Sequence, residues 1–465
     1  MNSEVVKLLR RGARSFERKS EIAALDIWRA ILKLSSEDVE ARKKIENYFI
    51  LDGKGKVAFL ARRGDGLTMR LMALIIAKAL SEKFDCQFRF KWGRGFIGDK
   101  YHSMEKAVDV FDKEFVDIYS VDETTCFGFD DVFSCVGKSI FDKPVSWGFR
   151  GWDISRCAQA GLPSVIEFDE NDAKRLTKCF YELPFKPELK NVILNAKRVG
   201  IDDGFVGIHI RGGDIIYGDY RLSGRYANGR CLPINIVKRI IEEQVGLSKN
   251  VILFGQDGEL LNSLKNEFDV VLARDFYNNK MHGWDVLFDV VLMSRCFSVF
   301  AAGSSGVTKL AGAVGSVSVL TPEQYWGREK YINYFLCNDL DADIAGFDPF
   351  QKSFSLYHAY LLSRDFDLLS ALGFLIKAMA CDSDNMLYKL LMFELYLFTN
   401  EFEFAEKIAS DYVSYYAAGD NEHYTTKEFF WQCEAFISLN RVVSVKPEEN
   451  KYENSKVLLN KINNI

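Results

Sequence analysis

Apolar residues recur at helical spacing along the first 48 residues, with polar residues in the gaps. Gly12, Ala13 and Phe16 begin this pattern. It continues with Ala24, Leu25, Trp28, Ile31 and Leu32. A recurrence every three to four residues is typical of amphipathic helices. We therefore predict that segment 1–50 is helical.

Between about Gly53 and Leu336 the pattern changes, and short apolar runs alternate with helical stretches. The runs span residues 57–61, 86–92, 206–210, 251–255, 270–273, 297–302 and 317–320. Short continuous apolar runs are typical of buried parallel strands, and their alternation with helices indicates α/β domains. Pro184 and Pro187 interrupt a helical stretch near position 200. We predict one α/β domain over 51–200 and a second over 201–340.

The segment 341–465 is predicted to be helical again. Residues 366–371 parallel residues 401–405, and the two alanines that end these stretches, Ala371 and Ala405, are 34 positions apart (405 minus 371). This is the period of tetratricopeptide repeats, and the small residues Gly12 and Ala24 resemble one further hairpin of that kind. Each hairpin needs neighbours to bury its apolar face, so we expect these helices to pack on the α/β domains or on each other.

Composition and charge narrow the class of protein. Hydrophobic residues make up 48% and charged residues 27% of the chain, which is an ordinary globular composition. The net charge of −5 predicts no general affinity for nucleic acid. The ten cysteines form no CxxC pair, which favours free thiols in a reducing compartment. The N-terminus has no apolar signal core, and no run approaches the roughly 20 apolar residues of a membrane span. We therefore expect a cytoplasmic protein, with peripheral attachment to the inner face of the membrane as an alternative.

The most informative stretch, residues 206–214, reads VGIHIRGGD. Alternation along a strand places His209 and Arg211 on one face, just before paired glycines break the strand. Ligands of open α/β sheets bind beyond the carboxyl ends of strands, and glycines allow close approach to the backbone. A guanidinium there can hold a diphosphate through two parallel hydrogen bonds. The alternative is a structural bridge between Arg211 and Asp214, with His209 as a core residue.

This stretch resembles the first motif, His-x-Arg-x-Gly-Asp, of the fucosyltransferase superfamily, which includes α-1,2- and α-1,6-fucosyltransferases and protein O-fucosyltransferases. The resemblance implies that Arg211 contacts the β-phosphate of GDP-fucose and that His209 holds the guanosine. Gly212 and Gly213 would then line the donor site, and Asp214 would join Arg211 in catalysis. Gly212 stands where α-1,2 enzymes usually carry a second basic residue, which disfavours that linkage.

Two later stretches resemble the second and third motifs of the same family. Residues 251–258 form a run that ends in Asp257, whose counterpart in the family reads the guanine edge. The alternative for Asp257 is the N-cap of the following helix. Residues 300–308 contain Ser304 and Ser305, which would open a helix and cradle a phosphate, or would serve only as an N-cap. The helical stretch before them resembles the family's Asp-x-x-x-Met-Ser segment.

A glycine-rich turn in the first α/β domain also resembles the family. Gly64 and Gly66 follow the first apolar run and lead into an apolar helix, as in the family's Gly-Leu-Gly-Asn turn. Asp65 and Thr68 depart from that pattern. Together the resemblance covers about residues 57–320, and it assigns Gly64 and Gly66 to donor binding.

The resemblance implies a GT-B fold, in which two Rossmann-like domains face each other across a cleft. The first would bind the acceptor and the second the nucleotide sugar, with inversion and without a metal ion or other cofactor. The adjacent acids Asp130-Asp131 and Asp202-Asp203 are expected to be solvated rather than metal-binding. Positive groups and oriented dipoles would then stabilise the departing diphosphate, chiefly Arg211.

The catalytic base and the acceptor stay open at this point. Asp214, Asp219 and His102 are alternatives for the base that deprotonates the acceptor hydroxyl. A glycan, a lipid-linked glycan or a protein is equally compatible as acceptor. The helical repeats are candidates for protein partners or self-association.

Two other functions are compatible with the sequence. The first keeps the fold and uses a different nucleotide sugar, because the motifs indicate a diphosphate more specifically than a sugar. The second is a tetratricopeptide-type interaction protein with a degenerate transferase domain. Retention of Arg211 and Asp214 weighs against this second function.

Overall fold

The computed structural model describes residues 2–16, single positions between 24 and 44, and several longer segments. These segments are 57–64, 66–84, 87–93, 106–121, 130–131, 150–154, 170–201, 204–218, 220–223, 229–277, 284–303, 305–336, 340–417 and 452–463. The chain divides into two compact units. The first comprises residues 1–200, 278–295 and 309–317, and the second comprises 201–277, 296–308 and 318–465.

The described residues of each unit form one parallel β-sheet. The strands are β1 Val57–Arg63, β2 Gln87–Trp92, β3 Asp130–Asp131, β4 Arg150–Asp153, β5 Phe205–Ile210, β6 Asn250–Gly255, β7 Val271–Leu272, β8 Ser298–Phe300 and β9 Ser318–Leu320. The first sheet has the order β2-β1-β4-β3 and the second the order β7-β6-β5-β8-β9. Every strand pair in both sheets is parallel.

Helices lie before, between and after the strands. Those of the first half are α1 Asn2–Phe16, α2 Leu67–Lys83, α3 Ala107–Val110, α4 Lys113–Tyr119, α5 Glu170–Tyr181, α6 Pro187–Arg198, α7 Gly213–Ile216 and α8 Tyr220–Ser223. The next are α9 Ile234–Gly246, α10 Gly258–Glu267, α11 Asp285–Met293, α12 Gly306–Gly315, α13 Pro322–Trp326, α14 Arg328–Leu336 and α15 Leu340–Asp343. The last are α16 Pro349–Ser363, α17 Leu368–Cys381, α18 Met386–Phe398, α19 Phe402–Ala417 and α20 Glu453–Asn463.

The predicted α/β class, a pair of Rossmann-like domains, is confirmed by these two sheets and their helices. Each of the seven apolar runs overlaps a strand of the structure, although the last three runs contribute only two or three strand residues each. The predicted interruption at Pro184 and Pro187 separates α5 from α6, and Pro187 takes the first position of α6. Proline is tolerated there because the first N–H groups of a helix have no intrahelical partner.

The N-terminal helix packs on the next helical positions through small and apolar side chains. Val6 and Ala13 of α1 share a core with Ala24, Trp28 and Ile31. Leu25 and Leu32, which belong to the same predicted pattern, lie outside the described residues. Helical structure is therefore confirmed for α1 and for most of the described positions between 24 and 44.

In the second unit, the C-terminal helices and the sheet share one hydrophobic core. Val206 and Ile208 of β5 belong to the same buried cluster as Tyr360 of α16 and Leu391 of α18. The helices α17 and α19 begin at Leu368 and Phe402, so their starts are 34 residues apart (402 minus 368). Ala371 and Ala405, near those starts, are both fully buried. The assignment of these helices to the tetratricopeptide class stays a prediction.

Candidate functional site

The three strands that carry the sequence motifs are neighbours in the second sheet. β5, which ends before Arg211, lies between β6, which ends before Asp257, and β8, which ends before Ser304. Since all three strands are parallel, their carboxyl ends meet at one edge. The fold therefore brings the ends of all three motif strands together. This is the edge at which open α/β sheets bind their ligands.

His209 is the fifth residue of β5 and is buried, with a relative exposure of 7%. Burial, assisted by the positive charge of Arg211, lowers the pKa of His209 to about 3. The imidazole is therefore neutral at physiological pH, with one nitrogen as donor and the other as acceptor. A neutral ring of this kind can hydrogen-bond a sugar or base but adds no positive charge.

Arg211 directly follows β5, and its side chain is half-exposed. The glycines after it start the short helix α7, with Gly212 at the N-cap. A Cβ atom on Gly212 would lie 3.4 Å from Cβ of Asp257 and 3.7 Å from Nε2 of Gln351. The backbone after Arg211 thus passes close to the end of β6. Asp214 lies in α7, and its side chain lies outside the described residues.

Asp257 is the N-cap of α10, the alternative that the sequence left open. Its Oδ1 accepts a hydrogen bond of 3.0 Å from the backbone N–H of Leu260. Its Oδ2 accepts a hydrogen bond of 2.5 Å from the Tyr217 hydroxyl and one of 2.9 Å from Nε2 of Gln351. Both carboxylate oxygens therefore have protein partners. The role of Asp257 in reading guanine stays a prediction.

Tyr217 and Gln351 are site residues that the sequence analysis missed. Burial and the hydrogen bond to Asp257 raise the pKa of Tyr217, so its hydroxyl remains protonated and donates to the carboxylate. Gln351 lies in α16, 94 positions after Asp257, and has a relative exposure of only 1%. No periodicity or motif connects a residue of a distant helix with a strand end, so only the fold reveals this contact.

The end of β8 leads into α12 through a glycine of positive φ. Gly303 has φ +105°, a conformation that side chains with a Cβ rarely adopt. Ser305 has a relative exposure of 1%, and its Oγ has no hydrogen-bond partner in the described part of the chain. Ser304 lies outside the described residues. A buried hydroxyl without a partner at a helix start is compatible with the predicted phosphate cradle.

Gly64 and Gly66 lie in the first unit, in the turn between β1 and α2. Gly66 is the N-cap of α2 and contributes no side-chain hydrogen bond to it. The turn also packs tightly on the end of β2, because a Cβ atom on Gly93 would lie 2.5 Å from Cα of Gly64. Near this edge, Arg62 pairs with Asp153 at 2.8 Å.

His102, Asp219, Asp65 and the pair Asp202-Asp203 lie outside the described residues, whereas Asp130 and Asp131 form β3. Among the described residues, no group of three or more His, Cys, Asp or Glu side chains could hold a metal ion. No described helix is long and apolar enough to span a membrane. The four described cysteines, Cys179, Cys231, Cys296 and Cys381, are free thiols.

No protein-family model and no curated protein sequence matches the chain. Among solved structures, the chain is similar to NodZ α-1,6-fucosyltransferase soaked with GDP-fucose, with 16% identity and a TM-score of 0.33 over 56% of this chain and 93% of that one. It is also similar to fucosyltransferase NodZ from Bradyrhizobium, with 17% identity and a TM-score of 0.34 over 56% of this chain and 91% of that one. A third similar structure is POFUT1 in complex with GDP, with 11% identity and a TM-score of 0.30 over 58% of this chain and 98% of that one.

Proposed function

We propose that this protein is an inverting, metal-independent glycosyltransferase that transfers a sugar from a nucleotide diphosphate donor, with GDP-fucose as the first candidate. One observation carries the proposal. Three stretches, separated by tens of residues and each resembling a motif of one transferase superfamily, end side by side at the ligand-binding edge of a single parallel sheet.

The proposed roles follow from charge and position. Arg211, half-exposed at the end of the central motif strand, holds the donor diphosphate and stabilises the charge that develops on it during transfer. His209 contributes a neutral hydrogen-bonding ring, and Gly212 and Gly213 leave room for the phosphates. Ser304 and Ser305 form the phosphate cradle at the start of α12. The assignment of Gly64 and Gly66 to donor binding depends on the family resemblance alone.

Asp214 is proposed to act with Arg211 in catalysis, and Asp219 and His102 stay alternatives for the acceptor base. The acceptor is a glycan, a lipid-linked glycan or a protein. We place the reaction in the cytoplasm, in line with the sequence analysis.

A donor with a base other than guanine is the second candidate, and the contacts of Asp257 favour it. Guanine presents two N–H donors to a carboxylate, but Oδ2 of Asp257 already accepts two hydrogen bonds and Oδ1 accepts one. Reading guanine would require Tyr217 or Gln351 to release this carboxylate. A base with a different hydrogen-bonding edge would not require that release.

A donor screen tests the proposal. We expect saturation-transfer NMR on the full chain to show contact with GDP-fucose, and calorimetry to rank GDP above UDP and ADP. If UDP or ADP binds most tightly, GDP-fucose is excluded as the donor and the second candidate, a donor with a different base, is supported. Absence of binding to every nucleotide and nucleotide sugar would overturn the transferase proposal and support a non-catalytic interaction protein.

A further inference from the structure

The segment that follows β5, residues 211–218 and 220–223, begins with Arg211 and is fixed to the C-terminal helices at two points. We call it the post-β5 segment. The first point is Tyr217, the residue after α7, whose hydroxyl donates to Oδ2 of Asp257. Nε2 of Gln351, in α16, donates to the same oxygen and lies 3.4 Å from the hydroxyl oxygen of Tyr217. Asp257 therefore joins the post-β5 segment to α16.

The second point is Arg221 in α8. Its Nη1 lies 2.7 Å and 2.8 Å from the two carboxylate oxygens of Asp382, the residue after α17. Asn385 donates to the backbone carbonyl of Arg221 and to Asp382, at 3.2 Å and 3.0 Å. The guanidinium of Arg221 also lies 4.7 Å from the centre of the Phe350 ring. The C-terminal helices thus hold the post-β5 segment at two residues, Tyr217 and Arg221.

These contacts are at least partly buried, so each has a desolvation cost as well as a favourable interaction energy. The Asp382 side chain is 3% exposed, and Asn385 is fully buried. Gln351 buries its Oε1 without a partner in the described part of the chain. Buried ion pairs contribute little net stability compared with apolar packing, and an unpaired buried acceptor is destabilising. Their clear consequence is geometric, because they hold the backbone around Tyr217 and Arg221 in one position.

We infer that the C-terminal helices α16 to α18 are a structural part of the donor site, and that Gln351 and Asp382 are positioning residues for Arg211. They act by fixing the post-β5 segment, of which Arg211 is the first residue and Gly212, packed on Asp257, the second. The inference rests on the proposed function of Arg211. It predicts that side chains of the helical segment alter diphosphate affinity without touching the ligand.

A matched ion pair provides the control. Arg239 of α9 contacts both carboxylate oxygens of Asp343 in α15 at 3.1 Å, so it also joins an α/β helix to the following helical region. No residue of the post-β5 segment takes part in that pair. We expect Asp382→Asn to weaken GDP binding at least tenfold by calorimetry, and Asp343→Asn to change it less than twofold. Equal GDP affinity in Asp382→Asn and the wild type would overturn the inference.

Two further variants keep the test decisive if Asp382→Asn does not fold. Arg221→Lys retains the charge but loses the planar guanidinium that lies over the Phe350 ring, so it should weaken GDP binding at least threefold. Gln351→Met removes one hydrogen bond and one unpartnered acceptor together, and we expect its melting temperature to stay close to that of the wild type. A folded Arg221→Lys protein with wild-type GDP affinity would contradict the positioning role. Because Gln351→Met also frees Asp257, its readout is inorganic pyrophosphate, and wild-type pyrophosphate affinity in a folded Gln351→Met protein would contradict the role as well.

A double-mutant cycle separates positioning from general damage. If Asp382 acts through Arg211, Asp382→Asn should weaken GDP binding much less in an Arg211→Lys background than in the wild type. Additive effects would contradict the inference. A wild-type protein that binds no GDP at all would instead defeat the proposed function, so the two failures are distinguishable.

Discussion

At the scale of single residues, the end of β5 combines a buried neutral imidazole with a half-exposed guanidinium. His209 cannot easily accept a proton, because charging it would require a cation in the core next to another cation. Arg211 places a positively charged guanidinium at this edge. The division suits a site that binds a diphosphate with one group and a neutral sugar or base with the other.

The buried histidine makes stability depend on pH in a specific direction. The pKa of His209 is lowered to about 3 in the folded state from its ordinary 6.5, so the unfolded chain binds the proton more readily. Its contribution to stability is complete above pH 6.5 and is lost as the pH falls toward 3. We expect a loss of about 2 kcal/mol by pH 5. Chemical denaturation at about pH 7.5 and at about pH 5 gives the change in unfolding free energy between the two pH values. This change should be smaller in His209→Gln than in the wild type. An equal change in both proteins would contradict the assignment.

Asp257 combines an N-cap with two further hydrogen bonds, so its removal should cost more than the loss of a cap. Asp257→Ala would leave the Tyr217 hydroxyl and Nε2 of Gln351 without their acceptor, in addition to the N–H of Leu260. Asp367 caps α17 through the backbone N–H of Ser370 at 3.0 Å and is a matched control. Denaturant titration should give Asp257→Ala more than twice the destabilisation of Asp367→Ala. Equal losses would show that the additional bonds contribute nothing.

At the scale of elements, close packing between strands sets the geometry of the motif edge. Gly207 in β5 faces Val299, Phe254 and Cys296, and an added Cβ would lie 3.1–3.3 Å from their side-chain atoms. Gly255 at the end of β6 is more constrained, because its Cβ would lie 2.5 Å from the backbone oxygen of Ile210. The absence of a side chain at these two glycines lets the motif strands approach each other.

Alanine substitutions at three glycines test this packing. Gly207→Ala should destabilise the protein by about 1–3 kcal/mol through overpacking, and Gly255→Ala should cost more, since a backbone atom cannot rotate away. Gly246, in the last turn of α9, has no atom within 4 Å of an added Cβ. Gly246→Ala should therefore be neutral or stabilising. Thermal melts of the three variants check the ranking, and a Gly255→Ala protein as stable as wild type would contradict the strand geometry.

Local patterns predicted most of this level of organisation. Continuous apolar runs identified seven of the nine described strands, because strand burial leaves a direct signal in the sequence, but they did not identify β3 or β4. Pro187 marked the boundary between α5 and α6 through proline sterics. The order of the strands did not follow from the pattern, and neither did the contacts of Asp257. Tyr217 and Gln351 come from segments 134 positions apart, and their meeting depends on tertiary packing alone.

At the scale of the whole molecule, the second unit joins its sheet and the C-terminal helices in one core. Ile208 of β5, Tyr360 of α16 and Leu391 of α18 all belong to it, and each is almost completely buried. A core without an internal boundary favours cooperative opening rather than independent release of the helices. The helices are thus energetically linked to the strand that presents Arg211.

Native-state hydrogen exchange tests this linkage. Amides of β5 and α18 should open with the same free energy, and Leu391→Ala should lower both by about 2–5 kcal/mol. Exchange in α1, which belongs to the first unit, is the internal control and should change less. Loss of protection in α18 alone, with β5 unaffected, would show that the helices are a separate folding unit.

The central claim is that Arg211 binds the diphosphate of an activated sugar, and calorimetric titration of GDP tests it most directly. We expect the wild type to bind GDP, Arg211→Ala to bind at least a hundredfold more weakly, and Arg211→Lys to fall between them. Arg328→Ala, which removes an exposed arginine paired with Glu323 in the same unit, should bind like the wild type. Wild-type affinity in a folded Arg211→Ala protein would contradict the account.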